Sequence, residues 1–129
     1  MPKQRFRRGE PLSHDAALVL RGDDLDPGRL METAQENCAV YGFFGISVFV
    51  EVGDFSWETI ASERLVRAEW LAIFTVGDLI SAGLEPWDTG RAPHYDVVHE
   101  RCSELVTRFV GCRHRLVQNP HYEPPEGVA

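Results

Sequence analysis

The segment Trp70-Leu-Ala-Ile-Phe-Thr-Val76 carries apolar side chains at almost every position. Successive residues of a strand point to opposite faces, so a strand of this make-up needs cover on both sides. The chain is thereby held to a sheet with other elements packed against it. Its flanks supply those elements. Cys102, Leu105, Val106, Phe109 and Val110 fall on one helical face, with Gly111 closing the helix. Asp26-Pro27 opens another helix, with Asp as cap and Pro in the first turn, and Leu30, Ala34, Cys38 and Tyr41 share its face before Gly42 stops it. Ser56 caps a third, with the face Trp57, Ile60, Ala61, Leu65 and Ala68. Thr75-Val-Gly-Asp78 resembles a capping box and opens a short helix through Ala82, with Gly83 after it.

Between these helices the period changes to two. Ala16–Arg21 is a short apolar strand, and Ile46, Val48, Val50 and Val52 alternate with Ser47, Phe49 and Glu51, with Gly45 a candidate bulge. Pro86 makes 85–87 an edge segment. Residues 89–93 form a turn, 94–98 a strand, and together with 85–87 these make a hairpin. Residues 112–117 are a last strand. The expected order is β-α-β-α-β-α-(ββ)-α-β, an α+β fold with a single mixed sheet and about four helices packed on it. Residues 15–118 form the domain, residues 1–14 a flexible basic arm, and residues 119–129 a disordered Pro-rich tail.

At 129 residues the chain is one domain, and 43% hydrophobic with 26% charged residues excludes a disordered composition. The longest near-apolar stretch, Gly42–Val50, falls far short of the roughly 20 residues a membrane span needs. The basic run from Lys3 to Arg8 leads straight into Gly9-Glu10-Pro11, so no secretory leader is expected. Cys38, Cys102 and Cys112 are an odd count and cannot close a disulfide framework. A reducing, cytoplasmic compartment is the simplest expectation. Thirteen basic residues face 20 acidic ones, a net charge of −7, which disfavours binding to a phosphate backbone. Lys3, Arg5, Arg7 and Arg8 cluster in the arm and read as a solvated tail, and Arg113 and Arg115 form a smaller group.

Chemistry concentrates in residues 87–99, which bring Trp87, Arg91, His94, Tyr95, Asp96 and His99 close together in sequence. Arginine can hold a phosphate or carboxylate through its planar fork, and His and Tyr can move protons. Arg91, His94, Tyr95 and Asp96 are the catalytic candidates for a metal-independent, ribonuclease-like reaction, with Asp96 orienting His94. Trp87, Arg91 and His99 are the binding candidates. The strand period places His94 and Asp96 on one face and Tyr95, Val97 and His99 on the other, which weakens the catalytic set. The competing reading is a polar turn whose Tyr95 and Val97 pack inward.

Three further constellations have simpler explanations. His99-x2-Cys102 and Cys112-x-His114 have the ligand types of a zinc site, yet Cys102 lies on the core stripe of a helix and behaves there as a small hydrophobe. His94-x-Asp96 would need Asp88 or Glu100 as a third metal ligand. Asp23-Asp24-x-Asp26 could hold a cation, although Asp26 is already explained as a cap. No metal or cofactor is expected: no Gly-rich phosphate loop and no G-x-S-x-G elbow occurs. The expectation is a partner-binding module, possible in a toxin–antitoxin-type pair or a homo-oligomer. The ribonuclease-like enzyme is the alternative, with RNA disfavoured by charge and no membrane association.

Overall fold

Asp26 and Gly42 bracket the first helix as their side-chain chemistry requires. The Asp26 carboxylate accepts from the Arg29 N–H at 3.0 Å, and Gly42 ends the helix at φ 86°, donating its N–H to the Cys38 carbonyl. The structure, a computed structural model, describes residues 17–22 and 25–125, the side chains of 89 and 90 excepted. The order is β1 (Leu18–Gly22), α1 (Pro27–Tyr41), β2 (Phe44–Val50), α2 (Trp57–Arg64), β3 (Trp70–Thr75), α3 (Val76–Ser81), β4 (Glu85–Arg91), β5 (His94–His99), α4 (Cys102–Gly111) and β6 (Arg115–Gln118). This is the α+β order expected from the periodicities. The basic arm, Asp23, Asp24 and residues 126–129 lie outside the described residues.

The strands form one sheet in the order β4-β5-β2-β1-β3-β6. Every neighbouring pair is antiparallel, so the sheet is not mixed. Hydrophobic period sets the face a residue occupies and carries nothing about strand direction, which long-range pairing decides. Gly45 sits in unbroken register opposite Val98 and is no bulge. The irregularity lies instead in β4, between Asp88 and Arg91.

β3 is covered on both faces, as its composition demands. Ala72 and Phe74 join the main core with Val19, Ile46, Val48, Val97, Leu30 and Ala34 of α1, and Leu105, Val106 and Phe109 of α4. The Phe74 and Phe109 rings meet at 4.8 Å between centroids. On the opposite face Leu71, Ile73 and Leu20 pack against Ile60 and Ala61 of α2. α2 therefore roofs the β1-β3 region. The second face of β2, β5 and β4 carries a different set of side chains, among them Ser47, His94, Asp96 and Trp87, which share register pairs.

Residues 119–125 have no helix or strand, yet they are not a free tail. Asn119, 4% exposed, donates through Nδ2 to the carbonyls of Leu65 (2.9 Å) and Ala68 (3.0 Å). Glu123 donates its N–H to the Val66 carbonyl, and Arg67 binds the carbonyls of Glu123 and Pro124. The prolines prevent helix and ladder formation but leave these carbonyls able to accept.

Candidate functional site

The hairpin of β4 and β5 sets the positions of the polar residues. Trp87 pairs with Asp96, Asp88 with Tyr95, and Arg91 with His94. His94, Asp96, Trp87 and Arg91 thus share one face, and Tyr95 and His99 the other. Tyr95 lies in the main core at 5% exposure. Burial, and secondarily the Asp88 carboxylate, pushes its phenol above the ordinary range. A phenol sealed there cannot act beside His94, so the structure separates Tyr95 from the other three catalytic candidates. Asp96, 4% exposed, is buried as well.

His94 stands edge-on to Phe49, with centroids 5.8 Å apart and planes at 80°. Its Nδ1 is buried without a hydrogen-bond partner among the described residues. Burial lowers its pKa, with Asp96 opposing and the Arg91 and Arg64 guanidinium groups adding to the fall. His94 is therefore held neutral. Arg91 places its guanidinium carbon 6.0 Å from the centre of the Tyr41 ring.

The aromatic side chains continue as a row. Tyr41 stacks on Phe43 at 6.0 Å, and Phe43 meets Trp87 at 6.0 Å with planes at 55°. The Trp87 indole N–H donates to the Glu85 carboxylate at 2.8 Å, which fixes the ring on the edge strand. The Cδ2–Cε2 edge of the Phe43 ring lies against Gly45: a Cβ at Gly45 would come within 2.7 Å of it.

The Phe43 and Trp87 rings form one wall of a cleft of about 640 Å³ at the end of the sheet. Phe43, Phe44, Trp87 and Val98 supply its apolar surface, Cys38 a thiol, and Glu85, Glu100 and His99 its polar groups. Gly42 and Gly83 complete it, both at positive φ, where the chain turns out of α1 and α3. The volume falls within the range of pockets that hold small ligands or a side chain. No Lys or Arg lines the cleft among the described residues. Arg108, close to Gly83, is committed to the Ala82 carbonyl at 3.0 Å and to Glu104.

Of the binding candidates, Trp87 and His99 line this cleft, whereas Arg91 lies along the hairpin with its guanidinium over Tyr41. The His99 ring is fixed: Nδ1 accepts from the Arg101 N–H at 3.0 Å, and Nε2 faces the Glu104 carboxylate at 3.4 Å. Cys38, Phe43 and Glu85 were not distinguished by sequence from core or surface residues. The signal available was the pair Phe43-Phe44 between two glycines at a helix stop, because adjacent strand residues must face opposite ways.

The zinc-type residues are not assembled. Cys102 Sγ lies 3.1 Å from the Met31 sulfur, Cys112 Sγ faces the Arg113 carbonyl, and His114 Nδ1 is 2.8 Å from the Cys112 carbonyl. Both thiols are pushed up, first by burial. Among the described residues no group of three or more His, Cys, Asp or Glu side chains is placed to hold a metal ion, and Asp88, opposite Tyr95, faces away from His94 and Asp96. No described helix is long and apolar enough to cross a membrane. Comparison with protein-family models, with curated proteins and with solved structures finds no match to this chain.

Proposed function

We propose that the protein is a partner-binding module that docks another protein at the aromatic cleft on the β4–β5 end of the sheet. The observation that carries this reading is the cleft itself: Phe43, Phe44 and Trp87 line one concavity, with carboxylates among its lining residues. Half-buried aromatic residues are the groups that most often anchor protein interfaces. Three free thiols suit a reducing compartment such as the cytoplasm. A toxin–antitoxin-type pair is one setting that fits a small acidic domain of this kind. The test is co-expression of the full chain with the product of the adjacent gene, followed by size exclusion with light scattering. The wild type elutes as a complex, and Trp87→Ala weakens it at least about thirtyfold, the loss of a central interface tryptophan. A strictly monomeric wild type, or a Trp87→Ala complex of undiminished affinity, rejects the reading.

The shared face of His94, Asp96 and Arg91 favours a second reading, a ribonuclease-like enzyme without Tyr95. It is the weaker one, because Asp96 is buried and the cleft presents carboxylates rather than cations to a phosphate chain. Equal RNA integrity in cells expressing wild type, His94→Ala and Arg91→Ala disposes of it.

A further inference from the structure

We propose that β6 is a self-association edge: two copies of the chain join by antiparallel β6–β6 pairing about a two-fold axis at Val117, which makes one continuous sheet across the dimer. This surface lies at the opposite edge of the sheet from the cleft, so it stands or falls independently of the docking reading. Among the described residues no strand lies beyond β6. The other edge, β4, is blunted by Pro86 and by the irregularity between Asp88 and Arg91, whereas β6 contains no proline and pairs with β3 in unbroken register. The Asn119 N–H donates to the Glu69 carbonyl, and hydrogen-bonded pairs alternate along an antiparallel ladder. The backbone groups of Arg115 and Val117 therefore face β3, and those of Leu116 and Gln118 face outward. An antiparallel copy satisfies these outward groups when Leu116 lies opposite Gln118 of the second copy and Gln118 opposite its Leu116. Each such pair exchanges both N–H···O bonds, and Val117 faces its own counterpart between them.

The side chains fit this register. Leu116, 58% exposed, and Trp70, 41% exposed, share one face of the sheet. In the dimer Leu116 falls in one row with Gln118 and Trp70 of the second copy, so apolar surface that a single chain leaves in water is covered. On the other face Arg115 falls in one row with Asn119 and Glu69 of the second copy. Arg115 and Glu69 are exposed, and within one chain they sit at opposite ends of the β3–β6 ladder. The two-fold axis repeats the contact, so the basic start of each β6 meets the acidic end of the other copy's ladder. The net charge of −7 opposes self-association at long range, and this edge presents both signs where the copies meet.

The experiment follows the mass of the full chain alone by analytical ultracentrifugation, from low micromolar to near-millimolar concentration. The mass rises from one chain to two. Leu116→Pro removes an outward N–H that the β3 ladder does not use, and it weakens the dimer at least about tenfold through the hydrogen bond lost from each copy. Arg115→Glu and Glu69→Arg change exposed positions and leave the fold intact. Each alone sets like charges in one row and weakens self-association about three- to tenfold, whereas an equimolar mixture of the two variants pairs more tightly than either by itself. A chain that stays monomeric throughout overturns the inference. So does a dimer that none of these substitutions alters, which moves the interface to another surface. A monomer whose Leu116 and Gln118 amides resist hydrogen exchange overturns it in favour of residues 1–16 as the occupant of the edge.

Discussion

Gly45→Ala tests how the aromatic wall is seated on the sheet. The added methyl would lie 2.7 Å from Phe43 Cε2, 3.1 Å from Cδ2 and 3.4 Å from the Asp96 Cβ. The first distance is a hard overlap, and the atom that must yield belongs to a side chain rather than to backbone. Inserting a methyl into a packed site costs about 1–3 kcal/mol. Replacing a strand glycine by alanine offsets about 0.5–1 kcal/mol of that through chain entropy. The half-buried Phe43 ring can swing outward, so the net loss is about 1–2 kcal/mol, in the lower part of the overpacking range. For a domain of this length that corresponds to a fall of about 3–8 °C in Tm. In urea the midpoint drops by about 0.5–1 M with an unchanged slope. The displaced ring also leaves Trp87, so binding at the cleft is lost along with the stability. The reasoning is refuted by a variant that melts at or above the wild type with the Phe43–Trp87 contact preserved, because the ring would then not be pressing on the sheet.

Two further outcomes follow from groups away from Gly45. Because the folded protein holds the His94 pKa below its ordinary 6.5, the unfolded chain binds more protons as the pH falls. The contribution of neutral His94 is full above pH 6.5 and is lost on acidification through the window between 6.5 and the lower folded value, so Tm declines there and His94→Gln flattens the decline. An unaltered slope in that variant refutes the assignment. Asn119→Ala removes two side-chain bonds to carbonyls of the α2–β3 connection and one from the His121 N–H, at a cost of about 2–3 kcal/mol in urea unfolding. A loss below about 0.5 kcal/mol would mean that water replaces Asn119 at those carbonyls.

The legible part of this fold is local. Asp26 and Gly42 mark the ends of α1 because a carboxylate satisfies free N–H groups and only glycine turns easily to positive φ. The stripe from Cys102 to Phe109 declares α4 because helical period and burial coincide there. In the site, alternation alone separates Tyr95 from His94 and Asp96. The period does not say which of the two faces becomes the interior; the cover supplied by α1 and α4 decides it and seals Tyr95 inside. The anchoring of residues 119–125 is not legible locally for a related reason: proline content shows that no ladder can form, while the partners of Asn119 and Glu123 lie more than fifty residues away in sequence.

The sequence by itself determined the identity and order of the elements, the two ends of α1, and which side chains keep company along each strand, since those depend on residues within one or two turns of each other; α2 instead stops at Arg64, short of the Leu65 and Ala68 positions of its expected face. Only the tertiary structure decided the strand order, the antiparallel directions, and the meeting of Cys38, Phe43, Glu85, Trp87 and His99 around one cleft. These arise from pairings between segments far apart in the chain, where no local period reaches.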